Sequence, residues 1–208
     1  MPVFHEHKLI FYHIGKTGGM SIERALGLTA GDYKNYRPEF VHGLRKGVMT
    51  QHARPSYVNN CIDTHIRDTY YKFTIVRNPW DRMVSCYYYL YNINKNKYGN
   101  FSTWLKNAHK IVTSQLYREG DHLTPQIEYT HDSNGSQIVD MIGRYEQLQD
   151  SYESLCDKLK IKKTSLQLIN RSGNRPGVQF DNMYNTHDRN LVFEMYKQEI
   201  KLFDYEFM

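Results

Sequence analysis

The chain has 208 residues, 40% hydrophobic and 24% charged, with a formal net charge of +5. That length holds one α/β domain with a substantial core, and the composition excludes a disordered or fibrous chain. The modest basic excess suits a small anionic ligand or acidic substrate, and no basic stripe or known motif points to nucleic acid.

No stretch approaches the roughly 18 apolar residues of a membrane helix. His5, Glu6, His7 and Lys8 interrupt the place where a signal peptide carries its apolar run. A cytoplasmic protein without a membrane partner is expected. Cys61, Cys86 and Cys156 lie far apart and form no CxxC pair, so reduced thiols are expected. The ten histidines contain no HExxH arrangement, and no metal site is expected.

In chain order, residues 8–14 read as a strand and residues 20–28 as a helix, closed by Gly27 and Gly31. Residues 32–47 read as irregular, 48–53 as a short strand ending at His52, and Pro55 to Asn60 as a helical turn. Tyr70 to Val76 is the strongest strand, rich in β-branched and aromatic residues. A helix follows from Pro79 to about Tyr91, because proline costs nothing in a first helical turn. Residues 93–99 read as a polar loop, and 101–109 as a helix with Ser102 a candidate cap. Turns are predicted at Gly120-Asp121 and Asp132 to Gly135. Ile138 to Tyr145 reads as a strand, and Leu148, Tyr152, Leu155 and Leu159 give a helix its periodicity. Asn170 to Val178 reads as a loop, and a last helix runs from about His187 to Leu202. Alternating strands and helices predict an α/β, P-loop-like three-layer fold: a central, mainly parallel sheet flanked by helices, in a single domain over residues 1–208.

The first strand, turn and helix place backbone N–H groups, Lys16 and two hydroxyls around a helix N-terminus. This is a ready site for a phosphate or sulfate. Gly15-Lys16-Thr17 matches the end of a P-loop motif, but the glycine required five positions earlier is Ile10, and the further glycines follow the lysine. The second strand-to-helix junction carries Arg77, with Ser85 two turns into the helix. Arginine offers a planar, permanently charged fork for phosphate oxygens. Taken alone, Arg77 could equally cap a structural ion pair and Ser85 could be a small packing residue. Both junctions lie at the carboxyl edge of the expected sheet, where open α/β folds bind ligands. Together they imply a ligand with two separated anionic groups.

On these residues the chain resembles sulfotransferases that use 3′-phosphoadenosine 5′-phosphosulfate, of the type of Golgi carbohydrate sulfotransferases and their bacterial relatives. Phe11 to Ser21 resembles that family's 5′-phosphosulfate loop, and Ile75 to Ser85 its 3′-phosphate motif. Softer echoes occur at Ile142 to Glu146, Asn170 to Ser172 and Phe203 to Phe207. Gly15 departs from the family's usual proline, and Met20 from its usual threonine or serine. The resemblance implies in-line transfer of a sulfuryl group to an acceptor hydroxyl or amine, most naturally of a carbohydrate, by positioning and charge stabilisation. Gly15, Lys16, Thr17, Gly18, Gly19, Met20 and Ser21 would hold the 5′ end of the donor, and Arg77 and Ser85 its 3′-phosphate. Lys16 would stabilise the departing phosphate, and no metal is required.

The proton acceptor implied is His52, which precedes the Arg77 strand much as the catalytic histidine does in related carbohydrate sulfotransferases. His13 is its rival by nearness to Lys16, with His65 and Glu23 further candidates. The run Tyr87 to Tyr91 could line an acceptor cleft or pack the core. Asn170 to Arg175 could close over the adenine or the acceptor, or form a surface loop. Other readings are a nucleotide or small-molecule kinase of related fold and a nucleotide-binding module without catalysis.

Overall fold

Two apolar runs, Leu9–Tyr12 and Tyr71–Val76, lie side by side as parallel strands and set the frame of the chain. The structure is a computed structural model and describes residues 2–28, 37–38, 41–167 and 179–207. In chain order the elements are β1 (Val3–Phe4), β2 (Leu9–Tyr12), α1 (Gly19–Ala25), β3 (Leu44–Arg45) and β4 (Val48–Met49). A 3-10 turn at Thr50–His52, α2 (Pro55–Asn59), α3 (Thr64–Thr69), β5 (Tyr71–Val76) and α4 (Pro79–Ile93) follow. Then come α5 (Lys95–Tyr98), α6 (Phe101–Thr113), α7 (Ile127–Thr130), β6 (Met141–Arg144), α8 (Leu148–Leu159) and α9 (Thr186–Leu202).

The chain divides into two compact units interleaved in sequence. The first takes in residues 1–76, 118–122 and 126–169. Its sheet has the order β1-β2-β5-β6, with β2, β5 and β6 mutually parallel and β1 antiparallel at the edge. The fold is α/β with a mainly parallel sheet, as the alternating pattern predicted. Strands covered on both faces must be apolar throughout, and all four residues of β2 and the last four of β5 are buried. The Thr74 hydroxyl donates to the Tyr12 carbonyl at 2.6 Å and ties the two strands at the end of β2. Below the sheet, Phe11, Phe73 and Ile75 pack with Ile22 of α1 and Leu148, Tyr152 and Leu155 of α8.

The second unit takes in residues 77–117, 123–125 and 170–208 and is built on α4, α6 and α9. Asn78 caps α4 by accepting from the Trp80 N–H at 3.1 Å, and its amide donates to the Glu206 carbonyl at 2.8 Å. Tyr87 meets Phe101 edge-on at 5.4 Å and Trp104 at 5.7 Å. Fully buried Arg82 lies over the Tyr196 ring, donates to the Thr124 carbonyl at 3.3 Å and faces Glu199 at 3.8 Å.

Several expected boundaries shift. The strand expected over 48–53 is only Val48–Met49, because its residues pair back across the Lys46-Gly47 turn with Leu44–Arg45 and the chain then coils into the 3-10 turn. The polar stretch 93–99 contains the short helix α5. α6 runs on to Thr113, and its cap is Asn100, which accepts from the Thr103 N–H at 2.9 Å. Ser102 instead donates to Asp188. The strand expected over 138–145 shortens to Met141–Arg144. The expected loop 170–178 lies outside the described residues.

Gly143 pairs with Ile75 where β6 lies beside β5, and it faces Ser151 of α8. A Cβ there would stand 2.5 Å from Ile75 Cδ1 and 2.7 Å from Ser151 Cβ. Gly143→Ala should therefore cost about 1–3 kcal/mol by overpacking, read as a lower denaturation midpoint with an unchanged m-value.

Candidate functional site

β2 ends at Tyr12, and the chain turns through His13 to Gly18 before α1 begins. Two residues in this turn adopt left-handed backbone: Lys16 at φ 69° and Gly18 at φ 80°. Glycine takes that region freely, whereas a lysine there carries strain that the surrounding turn must hold. The brace is local. The Thr17 hydroxyl donates to the Ile14 carbonyl at 2.9 Å, and the Ser21 N–H donates to the Gly18 carbonyl at 3.0 Å. Lys16 is half-buried, and the first turn of α1 carries no acidic side chain. The sulfur of Met20 accepts from the Gln51 amide at 3.0 Å, so the position that lacks the expected hydroxyl braces the neighbouring 3-10 turn.

His52 closes that 3-10 turn and is brought against the loop. Its Nδ1 lies 3.1 Å from the main-chain oxygen of His13. A carbonyl only accepts, so Nδ1 carries the proton of the neutral ring and Nε2 is left as the acceptor. The ring meets His13 edge-on at 4.5 Å and His122 at 4.9 Å. Burial holds the His52 pKa well below the usual histidine range, and the neighbouring His13 and His122 rings push it the same way. At neutral pH the ring is therefore in its proton-accepting form.

Behind this pair lies a buried carboxylate. Glu23, on α1, has no solvent exposure and takes the His13 Nδ1 at 2.5 Å and the Gln51 amide at 2.8 Å. The buried His42 ring faces it at 3.8 Å. Burial alone would raise the Glu23 pKa, but the His13 and His42 rings outweigh it and hold the carboxyl well below the carboxylate range. The ring of His122 covers Gly15 so closely that any side chain at that position would collide with it. Its segment is clasped by Arg54, whose guanidinium donates to Glu119 at 2.8 Å and Glu128 at 2.9 Å.

Of the sequence candidates, the structure brings His52, His13, Glu23 and the Lys16 loop together. His65 is exposed on α3. His122, His42, Gln51 and Arg54 were missed, because their roles come from pairing across long stretches of chain and leave no local spacing. In the second unit Arg77 is nearly buried, and Asp81 takes its Nε at 2.7 Å and its terminal nitrogen at 2.6 Å. Asp81 and Ser85 stand four residues apart on one face of α4, and Arg77 reaches Asp81 from just before the Asn78 cap. The Tyr87 ring belongs to the core, while Tyr89 is 41% exposed.

The family model described as the sulfotransferase family matches residues 1–206, and the chain belongs to that family. No curated protein and no solved structure matches the chain. Among the described residues no group of histidine, cysteine or acidic side chains has metal-holding geometry, and no helix is long and apolar enough to cross a membrane.

The lowered His52 pKa links folding to pH. Between the folded value and the unfolded value of about 6.5 the unfolded chain holds the extra proton, so stability rises with pH across that window. Stability should be fully present above about pH 6.5 and fall as the pH drops, by at most about 1.4 kcal/mol per pH unit from this one group. Urea titrations from pH 7.5 to 5.5 should show a shallower slope for His52→Asn than for the wild type.

Proposed function

We propose that the chain is a single sulfotransferase domain that moves a sulfuryl group from 3′-phosphoadenosine 5′-phosphosulfate to a hydroxyl of a carbohydrate or similar small acceptor. No metal takes part in this reading. The acceptor oxygen attacks sulfur, its proton passes to His52 Nε2, and the bond from sulfur to the 5′-phosphate oxygen breaks. Adenosine 3′,5′-bisphosphate departs with the negative charge that Lys16 and the N–H groups of the Gly15–Ser21 turn would meet. Arg77, held by Asp81, and Ser85 would take the 3′-phosphate. β2 and β5 run parallel and end at the same edge of the sheet, and the Arg77 residue follows β5 directly. Both motifs fall within the residues that the family model matches, which supports use of one donor.

The observation that carries the reading is the fixed tautomer of His52 beside the Lys16 loop. The bond from Nδ1 to the His13 carbonyl leaves the other ring nitrogen as a proton acceptor, which is the state general-base work requires. Membership of the sulfotransferase family supplies the reaction class.

Calorimetry tests the donor site. Adenosine 3′,5′-bisphosphate should bind more tightly than ATP with Mg²⁺, and Arg77→Ala should weaken it by about 10- to 100-fold, the loss of one charge-assisted contact worth about 1.5–3 kcal/mol. A preference for Mg-ATP that survives Arg77→Ala would replace this reading with a kinase. His52→Ala should keep bisphosphate affinity and lose turnover by about 10²- to 10⁴-fold. Near-normal turnover would remove His52 from the role.

A further inference from the structure

The mechanism above makes no use of Glu23, although it is the most completely buried acid beside the loop. With no exposed surface it touches neither donor nor acceptor. An ion buried in a core is costly, and an apolar side chain of similar size often packs as well or better. What the carboxylate does at this place is visible in its two arms. Oε1 takes the His13 Nδ1 at 2.5 Å, and the carbonyl of that same His13 receives His52 Nδ1 at 3.1 Å. Oε2 takes the Gln51 amide at 2.8 Å, and Gln51 is joined to His52 by a peptide bond. Both routes end on the one ring.

The His13 arm has little room to move. Its ring stacks on Phe11 at 5.4 Å, and its other edge lies against Gly19, where a Cβ would collide with it. Glu23 itself rides on α1, one helical turn beyond Gly19. The carboxylate thus ties the helix that continues from the Lys16 loop to both supports of His52.

We propose that Glu23 is a positioning residue for His52, acting through His13 and Gln51 to hold the ring in its Nδ1-protonated tautomer and aim Nε2 outward. The proposal rests on the reading of His52 as the base. The titratable groups around the carboxylate and the base are His13, His42 and His122, carried by three different segments of the first unit.

The test is nitrogen-15 histidine NMR of the full chain, comparing wild type, Glu23→Gln and Gln51→Leu, with calorimetry of adenosine 3′,5′-bisphosphate on each. Wild-type His52 should show one neutral tautomer with the proton on Nδ1 at pH 7. Glu23→Gln should show exchange between the two tautomers and an altered His52 titration, with bisphosphate affinity preserved, and turnover should fall about 100-fold, the scale for a misplaced catalytic group. A single Nδ1–H tautomer retained in Glu23→Gln would overturn the proposal. Should Glu23→Gln fail to fold, Gln51→Leu decides: it leaves the His13 pair intact, and a loosened His52 signal supports the proposal while an unchanged one overturns it. Absence of bisphosphate binding in the wild type would remove the donor site instead, and the His52 signal would still judge Glu23 by itself.

Discussion

The parallel pairing of β2 with β5 is the constraint from which the rest of the first unit follows. Two neighbouring strands covered on both faces have no side on which to carry a charge. The buried stretches 9–12 and 73–76 carry no charged side chain, and several of the side chains singled out above follow where the strands stop. After β2 that place holds His13, Lys16 and Thr17; after β5 it holds Arg77. The Thr74 hydroxyl seals the last pair of β2 with β5 by satisfying the Tyr12 carbonyl.

In each unit a buried charge joins segments that are distant in sequence. In the first unit Glu23 gathers His13, His42 and Gln51 from separate segments. In the second, Arg82 gathers Thr124, Glu199 and the face of Tyr196. A buried polar group is expensive when partly satisfied and rigidifying when its partners are all present. Such centres give loops and turns a definition that apolar packing, which is tolerant of direction, does not supply.

The sheet and its long helices were legible because periodicity and turn chemistry are local signals. β5, α4, α8 and α9 follow from a β-branched run, a proline in the first turn and, for the last two, an apolar helical period. The Lys16 loop was legible from Gly18 and Gly19. The short pieces were not: β1, α3, α5 and α7 have between two and six residues each, too few to display a period. The partners of His52 were also hidden. His122 reaches the site because Arg54 holds its segment by Glu119, and Gln51 because Glu23 draws it inward. Those are tertiary pairings between distant residues. The Arg77 pair with Asp81 was readable as a spacing of four, but the spacing alone did not separate an ion pair from a phosphate site.

The contact between Gly15 and His122 makes two positions into one choice. With the imidazole laid on the turn, a Cβ at position 15 would collide with the ring where it now lies. A side chain at position 15 would therefore require the His122 ring to move. The stiffness that a pyrrolidine ring would supply from within the backbone is here applied from outside, by a side chain borrowed from another segment and pinned in place by Arg54.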